Sequence, residues 1–101
     1  MGNQPAKTVV VNIRHNPKEF DVYIGRPGLG FTGPYGNPWR FPRDGSRQEV
    51  VERFEQWFIR KINRDEFYRK QILGLRGKRL GCFCAAPCHG QVLADFLNAS
   101  A

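Results

Sequence analysis

"GKRLGCFCAAPCHGQVLADFLN", residues 77–98, decides how this chain folds. Its first half places Leu80, Cys82 and Cys84 on one side of an extended segment, which predicts a strand over 78–84. Its second half opens on Pro87, a residue suited to the first turn of a helix, and repeats Val92, Leu93, Phe96 and Leu97 at helical spacing, which predicts a helix over 87–98. A strand running directly into a helix is the building unit of a layered α/β domain. The turn between the two also gathers all three cysteines and one of the two histidines within eight positions.

Outward from this unit, the preceding segments fit the same class. "TVVVNI" (8–13) is β-branched and almost continuously apolar, as a central strand buried on both faces would be. "FDVYIG" (20–25) alternates, and "RHNPK" between the two runs supplies turn residues. Ser46 and Glu49 match a capping box, and Val50, Phe54, Trp57 and Phe58 then recur at helical spacing, so 46–62 is read as a helix. Asn63 and Glu66 repeat the cap pattern before a second helix over 63–73 that ends near Gly74. The order strand, strand, loop, helix, helix, strand, helix predicts a single α/β domain, with a three-stranded or larger mixed sheet flanked by three helices.

Between the second strand and the first helix lies a loop, 26–45. With Gly25 in front of it, the stretch contains Gly28, Gly30, Gly33, Gly36 and Gly45 and four of the seven prolines. Structureless stretches of this length are uncommon inside a compact domain and are usually functional or disordered; the Phe31, Tyr35, Trp39 and Phe41 side chains favour a packed loop. It is neither a dinucleotide fingerprint nor a P-loop, because no GxGxxG or GK[ST] pattern precedes a helix.

At 101 residues, 41% hydrophobic and 25% charged, the chain is sized for one domain and composed as a folded one. It has no run of about 20 apolar residues for a membrane span, and its opening "MGNQPA" lacks the Ser or Thr that a myristoylation signal wants at the sixth position. The expected location is the cytoplasm, with no membrane partner. Three cysteines this close in sequence make a poor disulfide framework, so reduced thiols are expected. Sixteen Lys and Arg against nine Asp and Glu give a net charge of +7, a field that attracts phosphates.

The cysteine turn supports competing readings. Cys82, Cys84, Cys88 and His89 would supply a complete zinc ligand set. In an extended strand, though, Cys82 and Cys84 are about 6.6 Å apart and parallel, while Cys88 and His89 point roughly 100° apart on a helix. In the second reading, the amides of His89 and Gly90 at the helix start, aided by the dipole, cradle an anion. Cys88 there is a candidate nucleophile, with His89 as acid or base. The plain alternative is that Cys82 and Cys84 fill the core and His89, in register with Val92, Leu93 and Phe96, sits satisfied at its edge. Arg14 and His15 end the first strand, and would join Arg26 and the Cys88 turn only if the strand ends share one edge of the sheet.

"VVNIRH", "DVYIGRPG", "YGNPW" and "LGCFCAAPCHGQVLADFL" together resemble the block pattern of the family described as domain of unknown function 4326, found in bacteria and their phages. The resemblance spans nearly the whole chain. The family's Asn-Ile-Arg signature falls on Asn12, Ile13 and Arg14, and its pattern keeps the equivalents of Arg26, Asn37, Cys82, Cys84, Cys88, His89 and Gly90. Phe83 stands here where Trp is common, and Gln91 where Asp is common. The resemblance implies that these polar blocks form a shared site; it supplies no activity.

The sequence thus points to a pocket for a nucleotide or another phosphate-bearing small molecule, built from Asn12, Arg14, Arg26, Asn37, Trp39, Cys88, His89 and Gly90. Arg14 and Arg26 would pair with phosphate, and Trp39 or Tyr35 would stack on a base. No cofactor is expected on this reading. The rivals are a small basic nucleic-acid-binding protein, with or without a structural zinc, and an inhibitor of a host protein that uses exposed loop aromatics. Whether the chain is an enzyme, and its oligomeric state, stay open at this level.

Overall fold

The structure, a computed structural model, describes residues 7–25, 35–83 and 88–99. Among the described residues six elements follow in chain order: β1 (Val9–Asn12), β2 (Val22–Tyr23), α1 (Arg47–Arg64), α2 (Glu66–Leu73), β3 (Arg79–Cys82) and α3 (His89–Ala99). The chain is a small α/β domain, with three helices and a three-stranded sheet of order β1-β3-β2.

Both pairings are parallel, so the sheet is parallel where a mixed one was expected. Val10, Asn12 and Val22 are in register with Leu80, Cys82 and Leu80 respectively, while Val11 and Tyr23 meet Gly81. The centre of the sheet is β3. The apolar run at 8–13, read as central, forms an edge strand with Val9 40% exposed. A parallel strand has the same apolar character in either place, and only long-range pairing separates the two.

Alternation along β3 divides the faces. Leu80 and Cys82 look toward the helices and join Ile24, Phe54, Phe58, Ile62, Ile72, Leu93 and Leu97 in one core. Completely burying side chains such as Phe54 and Leu93 stabilises the fold by roughly 1.5–3 kcal/mol each. Gly81 looks the other way, where the chain leaving β1 lays Ile13 and Phe20 across it.

Helix α1 begins as its sequence dictates. Ser46 Oγ accepts from the Glu49 amide and Glu49 Oε1 accepts from the Ser46 amide, closing the capping box. Its buried stripe is Val50, Phe54, Phe58 and Ile62. Because Ile62 belongs to that stripe, the helix runs on through Arg64, and Asp65 rather than Asn63 caps α2 by accepting from the Tyr68 amide.

Helix α3 runs antiparallel to β1. At its far end Asn98 and Thr8 exchange two bonds, Thr8 N to Oδ1 and Nδ2 to Thr8 O, both 2.9 Å. Thr8 Oγ1 also accepts from the Gly77 amide at 2.7 Å, closing the turn before β3. The first turn of α3 is thereby fixed at the carboxyl ends of the strands.

Candidate functional site

Parallel pairing puts the ends of all three strands on one edge, which is the arrangement the proposed convergence required. Beyond Asn12 the ladder continues, with the Ile13 amide donating to Cys82 O at 3.0 Å; beyond Tyr23 the Ile24 amide donates to Gly81 O at 2.9 Å. Adjacent strands then part company. The chain leaving β1 crosses the Gly81 face, and the chain leaving β3 enters α3 on the opposite, helical face. In open α/β sheets such a divergence, outside the carboxyl ends of neighbouring strands, is the place where ligands are held.

On the helical side of this edge the side chains are buried. His89, 5% exposed, points its Nε2 at the carbonyl oxygen of Ile24, 2.8 Å away. A carbonyl only accepts, so Nε2 carries the proton and Nδ1 does not, if the imidazole is neutral. Nδ1 lies 3.9 Å from Cys88 Sγ, and the ring meets Phe54 edge-on at 5.1 Å between centroids. Gly90 lies against Val10 and Ile24 so closely that a Cβ would stand 2.6 Å from Ile24 Cδ1.

Cys88 Sγ lies 2.9 Å from Cys82 Sγ and accepts from the Gly90 amide at 3.4 Å, standing in for the usual cap oxygen of α3. The Gln91 amide turns back to Cys88 O at 3.0 Å. The Gly90 amide, expected as a phosphate donor, is therefore occupied within the turn. Cys88 is also disulfide-bonded, though not to Cys82, which keeps its thiol; the spacing suggested reduced thiols throughout.

The opposite side of the edge is more open. Asn12 Oδ1 accepts from the Arg14 amide at 2.9 Å, and Asn12 O accepts from the His15 and Asn16 amides, so the Asn-Ile-Arg segment forms a tight turn that aims Arg14 outward. The Arg14 guanidinium stands 6.0 Å from the centroid of the Phe83 ring. Phe83 in turn meets Tyr23 in an edge contact at 6.2 Å. One side chain from beyond each strand or at its last residue, Arg14, Phe83 and Tyr23, thus forms a row across the edge. The sequence signal that places Phe83 and Tyr23 at this edge is their position at the ends of two strands.

Asn37 and Trp39 are engaged elsewhere. Asn37, buried, donates from Nδ2 to Val50 O at 3.0 Å and accepts from the Trp39 amide at Oδ1, fastening the loop to the start of α1. The Trp39 ring contacts Trp57 of α1 at 6.5 Å. Tyr35, the other expected stacking residue, packs partly buried against the core. Arg26 and Cys84 lie outside the described residues, as do 27–34 of the loop; 35–45 forms turns. Among the described residues no group of three or more His, Cys, Asp or Glu is placed to hold a metal ion, and no helix is long and apolar enough to cross a membrane.

The family model for domain of unknown function DUF4326 matches residues 11–99. The chain belongs to this family. Its matched span covers every element except the first two residues of β1. A relative from Enterobacteria phage T4, the "Uncharacterized 12.4 kDa protein in nrdA-td intergenic region", is 37% identical over 81 residues, which are 79% of this chain and 69% of the relative. No solved structure matches the chain.

Proposed function

We propose that this DUF4326 domain binds a phosphate-bearing small molecule, such as a nucleotide or nucleotide-derived metabolite, at the carboxyl ends of β1 and β3. The observation that carries the reading is the parallel pairing that sets the carboxyl ends of β1 and β3 side by side, with exposed Arg14 held by the turn that follows β1. A guanidinium held by a turn at such a place supplies a fixed cation with forked donors, the chemistry that phosphate oxygens select. The net charge of +7 adds a long-range attraction for the same groups.

His89 enters this proposal as a support. Its bond to Ile24 O ties the start of α3 to the end of β2, and so fixes the helical side of the carboxyl-end edge. The proposal assigns no catalytic step. In this reading the domain is an accessory protein that binds or sequesters such a ligand.

Thermal-shift measurements against inorganic phosphate and a panel of nucleotides test the reading. Binding at 100 times Kd stabilises a fold by about 2.7 kcal/mol, a rise of several degrees for a domain of this size. The parent should gain this stabilisation, and Arg14→Ala should lose most of it while melting normally without ligand. No shift with any phosphate compound would refute the proposal. Affinity that climbs with strand length and collapses with salt would favour nucleic acid instead.

A further inference from the structure

The proposed anion site does not account for the two aromatic rings that lie beside Arg14. Phe83 is the first residue after the central strand and Tyr23 the last residue of its neighbour, and both are only half-buried although core packing begins one residue away at Cys82 and Ile24. Their placement is held by structure around them. Tyr23 folds back over Gly25, where a Cβ would stand 2.4 Å from the phenol oxygen, so this glycine is what lets the ring lie across the end of β2. The Tyr23 edge then braces Phe83 at 6.2 Å and 61°.

From this row we infer that the ligand carries a planar aromatic base, stacked on Phe83, together with an anionic group that Arg14 reaches. The inference rests on the phosphate-site reading above and narrows it to nucleotides. The guanidinium stands 6.0 Å from the ring centroid, close enough for one small molecule to engage both side chains. Base stacking on an aromatic side chain is tolerant of base identity, because every base presents a π-face. A sugar phosphate or inorganic phosphate would use Arg14 alone. The base-stacking role that sequence suggested for Trp39 or Tyr35 passes in this proposal to Phe83.

Calorimetric titration of the parent with the four nucleoside 5′-monophosphates, ribose 5-phosphate and inorganic phosphate tests the inference. At least one monophosphate should bind about ten-fold or more tighter than ribose 5-phosphate, the advantage that one stacked base confers. Phe83→Leu should remove that advantage and leave ribose 5-phosphate binding within about two-fold, while Phe83→Trp should keep it. Equal affinities of the parent for nucleotides and ribose 5-phosphate would overturn the inference and leave the phosphate site standing, an outcome that does not depend on any variant folding. Failure of every phosphate compound to bind would remove both.

Discussion

The imidazole Nε2 of His89 donates to the carbonyl oxygen of Ile24 at 2.8 Å, joining the first turn of α3 to the end of β2 across 65 positions of sequence. Both residues are buried, with Ile24 fully so. Truncating His89 to Ala removes the donor from a buried carbonyl and the ring from its edge contact with Phe54, and should cost about 2–4 kcal/mol. His89→Gln, which keeps an N–H donor on a shorter and unringed side chain, should cost less. Urea denaturation measures both. A loss below about 0.5 kcal/mol for Ala, the range of neutral surface changes, would show that the bond does not hold the turn.

Asn37 performs a similar task for the loop. Its amide spans the Val50 carbonyl on one side and the Trp39 amide on the other, within a site only 7% exposed. Asn37→Ala takes the acceptor from the Trp39 amide and the second donor from the helical Val50 carbonyl, and should lower stability by about 1–3 kcal/mol. If instead Asn37 serves a ligand, the same variant would keep its stability and lose only binding, so denaturation and titration of one protein separate the two roles.

Local signals carried much of the fold. The Ser46–Glu49 capping box and the Val50, Phe54, Phe58 spacing placed α1 to within a residue or two because caps and periodicity act over one or two turns. The strand-to-helix unit at β3 and α3 was equally legible. What escaped was long-range: that β3 inserts between β1 and β2, and that Val9 to Asn12 forms an edge, depends on pairings separated by some 60 to 70 residues. The site divided along the same line. Asn12, Arg14, Cys82, Cys88 and His89 all lie toward the carboxyl-end edge of the sheet, but sequence could not tell that the sheet would separate exposed Arg14 from buried His89. Nor could it assign Asn37 to the Val50 carbonyl, since an Asn in a loop has the same composition whether it binds a ligand or the backbone.

Gly81 shows how tightly the second face of the sheet is closed. A Cβ there would stand 2.6 Å and 2.8 Å from the Phe20 ring atoms Cγ and Cδ2, and 2.9 Å from Ile13 Cδ1. These atoms are the root of a ring and a side chain pinned to the sheet, so neither yields without leaving its contacts. Gly81→Ala should therefore destabilise by about 1–3 kcal/mol, against the small gain that Ala normally brings to a strand. Combining it with Phe20→Ala should cost less than the two changes added together, because the small side chain makes room. Simple additivity in that double-mutant cycle would rule out the proposed clash.

At the other end of the sheet, Asp21 grips Arg79 on the central strand. Oδ2 accepts from the Arg79 amide at 2.8 Å and from Nε at 3.2 Å, and Oδ1 accepts from Nη2 at 3.0 Å. Hydrogen bonding by the Arg79 side chain, then by its amide, holds the Asp21 carboxyl down at about 2 against an ordinary 3.8. A folded-state value below the unfolded one means that the carboxylate binds protons more readily when the chain is unfolded. Its stabilisation is therefore complete above pH 3.8 and is lost as the pH falls toward 2. Asp21→Asn should be less stable than the parent at pH 7, and the two should converge across that acid window. Denaturation midpoints compared at steps from pH 7 to 2 give the answer; a gap that stays constant down to pH 2 would mean that the charge on Asp21 contributes nothing to holding β2 against β3.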